Sequence, residues 1–459
     1  MGKAGQALRQ VLESYNISQS SLATGLGVER PIVFRWFHEH TDPTAETLSE
    51  IVQALNRINT SAATDFIQAY LGNLITVAKT SNQELPKSDR VNVSVLSQIF
   101  DNTTTSYKHL FFISILDIIR RRNFDVLSSI SFREIIVEML ANAWYPHSYF
   151  KLSFGSQDQI ATKLETLVLE ITEPILKFRD TDKKLLRKTI QTQNIDDIIS
   201  FISRYVPFRL IRPFFNAETK SLVDSKVNQC LIELSKDKFE IIKPLYCFDT
   251  ENLKDCTAII LNQDWVEYIA ENYSVIRGWA SWEWLQYMQQ KNLNVPNIIN
   301  KIFAPQQRSS LSQQSQYWKI VLTHHDIECI YSKDRLEKET ISLDHYLPWS
   351  FVAHDQLWNL IPTTASVNSS KSNNIPDEKY FENFVSLQHL GLKTSHQNLS
   401  EAKWLKYAEH YISELKVNRF DDLLNLEILR KAYGQTIVPL ISLAVIQGFS
   451  QNWIYHNNK

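Results

Sequence analysis

Asp344 and His345 stand side by side, and Asn359, Asn368 and Lys371 follow within one short stretch. Hydrolysis of a phosphodiester needs an activated water, a divalent cation beside the scissile phosphate and support for the leaving oxygen. Neutral imidazole is a base whose pKa lies near working pH, so His345 suits removal of a proton from water. A hard cation such as Mg²⁺ or Mn²⁺ prefers oxygen ligands, which the Asp344 carboxylate and the Asn368 side-chain carbonyl supply.

These residues need elements to hold them. The apolar run Ile327-Glu328-Cys329-Ile330-Tyr331 predicts a strand, Ser332-Lys333-Asp334 a turn, and residues 341–345 a second strand. A helix suits residues 364–372, which gives the order strand, strand, helix.

The longer pattern runs Asp344-His345-Tyr346-Leu347-Pro348-Trp349-Ser350-Phe351, then Asn359, then Asn368-Ser369-Ser370-Lys371-Ser372-Asn373-Asn374-Ile375-Pro376. It resembles the HNH, or ββα-metal, nuclease family, and within it most closely the HNH domain of the RNA-guided CRISPR nucleases. The resemblance covers roughly residues 318–380. It implies a metal-dependent endonuclease using Mg²⁺ or Mn²⁺, with His345 as general base and Asp344 and Asn368 as metal ligands. It also implies that Asn359 orders the loop and that Lys371 binds phosphate. HNH domains that hold a structural zinc carry two Cys-x-x-Cys pairs, whereas Cys329 stands alone with Ser332 three positions on, so no zinc is expected. His324, His325 and His354 read as bystanders.

A second module lies at the N-terminus. Leu22 and Ala23 mark one helix, Gly27 supplies a turn where a residue without Cβ takes positive φ, and Pro31 falls in the first turn of the next helix. Ile32 and Trp36 share that helix's buried face, and Thr44 caps an amphipathic closing helix. This outline resembles the lambda-repressor-like helix-turn-helix family over about 55 residues. In that family the second helix enters the major groove, which implies DNA contacts by Arg30 and Arg35, with Gln19 near a phosphate. The module is not basic: Lys3, Arg9, Arg30, Arg35 and Arg57 face Glu13, Glu29, Glu39, Asp42, Glu46 and Glu50, so DNA affinity from it alone should be weak. A helical bundle for protein contact or dimerisation is the alternative.

The chain's 459 residues suit several domains, and 44% hydrophobic content with 11 Trp and 18 Tyr suits packed ones. With 48 basic residues against 50 acidic, a DNA site has to be a local patch. The basic groups Arg120-Arg121-Arg122 and Lys183-Lys184 with Arg187-Lys188 read as a solvated helix face, with phosphate contact as the alternative. Four cysteines without paired spacing read as reduced thiols, and no apolar run reaches the ~20 residues of a membrane span, so a cytoplasmic protein is expected.

The expected fold is mainly α and multidomain. A helix-turn-helix (1–78) and a polar linker (79–90) precede a mainly helical middle domain (91–304). There Ser131 and Glu134 have capping-box spacing, and Trp144-Tyr145-Pro146 should end that helix. A second linker (305–316) leads to the HNH nuclease (317–385) and a helical C-terminal region (386–459), with helices over 401–415 and 435–449. The resulting reading is an endonuclease acting on DNA, suited to bacterial defence or a mobile element, and needing a homodimer or repeated nicking to break both strands. A transcription regulator with a non-catalytic HNH domain and an RNA-directed nuclease are the competitors. The intact Asp344, His345 and Asn368 count against the first.

Overall fold

A computed structural model describes residues 3–456, save residues 16, 39, 42, 60, 61, 64, 67, 68, 71–84, 102, 126, 127, 168–179 and 303–309. The chain is mainly helical and divides into two units, Met1–Lys87 and Ser88–Lys459. In the first, α1 (Lys3–Ser14), α2 (Gln19–Leu26), α3 (Arg30–Phe37) and α4 (Ala45–Ile58) close around Leu8, Leu22, Val33, Trp36, Ile51 and Leu55. Ser18 caps α2 by accepting from the Ser21 N–H at 3.0 Å, and Gly27 ends it at φ +71°. Pro31 sits in the first turn of α3, and Thr44 caps α4 through the Thr47 N–H at 3.3 Å. Continuation of the helical pattern to about residue 78 falls largely outside the described residues.

The division between units falls at Lys87, within the polar stretch 79–90. In the second unit, α5 (Tyr107–Arg121) packs on α6 (Phe132–Trp144); α7 (Asp180–Gln191) packs on α6 and α8 (Tyr273–Lys291) on α5. Ser131 caps α6 through the Glu134 N–H at 3.1 Å. The expected stop at Tyr145-Pro146 is not where the helical path ends: it widens into a π turn over Tyr145–Tyr149, where Pro146 sits at the turn's start. A small antiparallel sheet, unread in the sequence, sets β1 (Ile130–Ser131), β2 (Tyr246–Phe248) and β3 (Ala258–Leu261) in the order β1-β3-β2.

No second division separates the middle block from the region that follows it. The expected linker 305–316 contains the start of a helix, α10 (Ser312–His324), whose Tyr317, Trp318 and Val321 are buried in the core of that C-terminal region. The short helix α9 (Ile298–Ile302) is bonded to it directly. Asn297 and Asn300 donate their amides to the carbonyls of Val352 and Ala353 at 2.8 and 3.4 Å, and Lys301 Nζ donates to that of Phe351. Those carbonyls end α11 (Trp349–Val352), a helix too short to satisfy them internally.

Within the C-terminal region, β4 (Ser342–His345) pairs antiparallel with β5 (Leu360–Thr363), setting Asp344 opposite Ile361 and His345 opposite Leu360. A helix, α12 (Ala365–Lys371), follows, capped by Thr364. The strand–strand–helix order therefore uses a different first pair from the one expected. Residues 327–331 make only an isolated bridge, Glu328 to Arg335, because the chain turns at once: Lys333 donates its N–H to the Cys329 carbonyl and takes φ +63°. Three C-terminal helices, α13 (Phe381–Asn398), α14 (Glu401–Leu415) and α15 (Leu426–Ile446), cover the back of β5.

Candidate active site

Asp344 lies on β4 with 2% of its surface exposed. Its Oδ1 accepts from Lys371 Nζ at 3.0 Å and its Oδ2 from the Tyr331 hydroxyl at 2.9 Å. Lys371, expected at a phosphate, is instead fully buried, and its ammonium also donates to the His345 carbonyl at 2.6 Å. The correction has a plain cause: the last turn of α12 points this side chain under β4, where the carboxylate compensates its charge. Burial pushes Lys371 below its usual pKa while Asp344 pulls it back up.

Asn368, one turn earlier, turns its amide nitrogen inward to Ser342 Oγ at 2.8 Å and the Leu343 carbonyl at 3.0 Å. A carbonyl only accepts, so the nitrogen must face it, leaving Asn368 Oδ1 as the end available to a cation. Asn359 is fully buried and brackets Leu347, accepting its N–H at 2.8 Å and donating to its carbonyl at 2.9 Å. That fixes the chain immediately after His345.

His345, the next residue on β4, pairs its Nε2 with Asp355 Oδ1 at 2.9 Å. Sequence reasoning missed Asp355. Only the turn at Ala353, with φ +53°, swings the following loop back toward β4, and a single Asp in a loop carries no local signal. His354 packs on the Trp358 ring, and burial, with His345 nearby, pushes its pKa down to about 4, so it stays neutral. His324 and His325 are exposed away from these contacts.

The backbone leading into β5 is held from behind. Gln388 donates to the carbonyls of Leu357, Trp358 and Leu360 at 3.0–3.3 Å, Trp318 Nε1 adds a bond to Leu360, and the Tyr433 hydroxyl adds one to Trp358. Cys329, buried, places its sulfur 3.2 Å from the Thr363 hydroxyl.

The oxygen donors suit a hard cation. Each Asp344 oxygen uses one lone pair and keeps another, and Asn368, bonded to Ser342 and Leu343 just ahead of it, offers an amide oxygen. Among the described residues no cluster of three or more His, Cys, Asp or Glu could hold a metal. Two protein oxygens completed by water and phosphate are nonetheless an ordinary shell for Mg²⁺.

Lys301 offers a further test of this region. It is fully buried with no ion-pair partner among the described residues, and burial pushes its pKa down to about 7. The folded state then holds fewer protons than the unfolded chain between about pH 7 and 10.5, so stability rises with pH across that window. We expect Lys301→Met to be more stable than the parent at pH 6, with the gap narrowing toward pH 10. Urea midpoints that move in parallel across that range would show that the lysine is not the titrating group.

In the N-terminal unit, Arg30 and Arg35 are both exposed on α3. Gln19 opens α2 half-buried, and its Oε1 has no hydrogen-bond partner among the described residues. The helix pair joined by a glycine turn, and the separate strand–strand–helix segment with an Asp-His pair on its first strand, are each matched by a known family. A family model described as HNH endonuclease matches residues 329–377, and one described as helix-turn-helix matches residues 8–61. The chain carries both domains. No curated protein and no solved structure matches it. No helix among the described residues is long and apolar enough to cross a membrane.

Proposed function

We propose that the protein is a divalent-metal-dependent endonuclease that hydrolyses DNA phosphodiester bonds. The supporting observation is the His345–Asp355 pair on the strand that also carries Asp344, with Asn368 bonded to the two residues before Asp344. With Nε2–H donated to Asp355, the imidazole takes the tautomer whose Nδ1 is basic, and His345 removes a proton from water through that nitrogen. Asp355 orients the ring and stabilises the imidazolium that forms. Asp344 and Asn368 would hold Mg²⁺ or Mn²⁺, which supplies positive charge to the phosphate undergoing attack. Asn359 keeps the backbone after His345 in place, and Lys371 holds the Asp344 carboxylate in position. In the other unit, α3 is the element that enters the major groove, with Arg30 and Arg35 touching bases or backbone and Gln19 a phosphate. One such site cuts one strand, so a double-strand break takes two copies or two turnovers.

Supercoiled plasmid and an RNA of similar length, incubated with purified protein, test the reading. We expect conversion of plasmid to open circles with Mg²⁺ or Mn²⁺, none in chelator, and little RNA cleavage. Undiminished nicking in chelator, or no nicking with any divalent ion, would overturn it.

A further inference from the structure

The second unit carries a basic groove apart from the nuclease residues. It has a volume of about 900 Å³ and lies among the end of α5, the first half of α6 and α7. Arg121, Arg133, Lys184, Arg187 and Lys188 line it, with Glu134 as the acidic member.

The groove is built from beneath. Glu138, fully buried, accepts from Arg121 at 2.8 Å, Lys183 at 2.7 Å and Arg187 at 3.4 Å. Its single charge sits under three cations and holds them in place. Arg121 also faces Glu134 at 3.7 Å, Lys183 bonds Asp117 at 2.9 Å and Arg133 pairs with exposed Asp196 at 3.0 Å, so the surplus of positive charge lies mainly on Arg187, Lys184 and Lys188. A guanidinium has five N–H donors, so most of those on Arg121 and Arg187 remain for a ligand, already oriented. Lys184 and Lys188, one turn apart on the exposed face of α7, form no ion pair with any described residue. In a chain whose net charge is −2 this concentration of positive charge is local, and the helix-turn-helix module is itself not basic.

We propose that this groove binds the phosphate backbone of duplex DNA, as a second contact that holds the substrate of the nuclease. The inference rests on the nuclease reading for the identity of the DNA as substrate. The geometry favours a long polyanion over a small phosphate compound because the cations are spread over three helices along an open channel. The groove also belongs to the same compact unit as the nuclease residues. Helix α6, 13 residues and therefore about 20 Å long, begins at the groove. Its other end leads through the π turn to Phe150, whose ring lies 5.9 Å from that of Trp349 in the nuclease. A rigid element thus spans the distance between the groove and the region that holds His345.

The test uses the full chain, with Lys184→Gln and Lys188→Gln combined. These side chains are exposed and form no ion pair among the described residues, so the fold should persist, and thermal melting checks that it does. Binding to a fluorescent duplex is measured in chelator, without cleavage, over a series of salt concentrations. Each lost phosphate contact should reduce the slope of log affinity against log salt by about 0.9. We expect a slope reduced by nearly two and an affinity at least tenfold weaker at low salt. An unchanged slope and affinity would overturn the groove proposal while leaving nicking by the parent protein, and hence the nuclease reading, intact. A reduced slope in a protein that nicks no DNA with any divalent ion would uphold the groove and sink the nuclease reading instead. Displacement of the duplex by millimolar ATP or pyrophosphate, in the parent and not in the double variant, would identify a small-phosphate pocket and overturn the DNA assignment.

Discussion

His345→Ala should nick plasmid about 10²- to 10⁴-fold more slowly than the parent while staying folded and able to bind DNA. The size follows from losing the proposed general base and leaving the proposed metal-binding oxygens of Asp344 and Asn368 in place. Imidazole added to the buffer should restore part of the rate, since it replaces a base but not a ligand. Asp344→Ala and Asn368→Ala should respond to raised Mn²⁺ instead. Asp355→Asn separates positioning from simple structure: the ring keeps a hydrogen-bonding neighbour but loses the carboxylate that selects its tautomer and stabilises its charged form. Its nicking should fall well below the parent's, and added imidazole should not restore it, because the ring is still present but no longer held. A His345→Ala protein that cuts at the parent rate would remove the base from this scheme. An Asp355→Asn protein that nicks at the parent's rate would remove its positioning partner.

The second large effect concerns stability. Lys371→Met should cost about 3–5 kcal/mol, because it strands Asp344 as an uncompensated charge in a site 2% exposed. Adding Asp344→Asn should recover most of that loss, as a neutral amide needs no counterion and still accepts from the Tyr331 hydroxyl. Urea denaturation followed by tryptophan fluorescence reads this well, since every tryptophan except Trp36 lies in the second unit. If Lys371→Met unfolds at the parent's urea concentration, the ammonium is not what makes the buried carboxylate tolerable.

The contrast between these two residues shows what the sequence made legible. Asp344, His345, Asn359 and Asn368 stand at fixed separations in one contiguous pattern, so their grouping could be read directly. Lys371 stood in the same pattern, but its place did not follow, because lysines are seldom fully buried and its partner lies 27 positions away. Strand β5 escaped for another reason. All four of its residues are buried and one is Pro362, so it shows neither alternation nor ordinary strand composition. Residues 327–331 made the opposite error easy, since an apolar run looks the same whether it extends or turns inward, as Tyr331 does toward Asp344. In the N-terminal unit the match was close, because caps, the glycine turn and Pro31 are local signals whose effects reach only a few residues.

The three side chains of residues 297–301 that close the end of α11 make the nuclease a poor candidate for transplantation. Cutting the chain between the two halves of the second unit would expose the Phe351, Val352 and Ala353 carbonyls two to four positions before Asp355. A fragment starting at residue 317 would carry every residue of the HNH pattern and still lack the clasp that sets its base. Any recombination or engineering that moves this cleavage module to a new host must therefore take Asn297, Asn300 and Lys301 along with it.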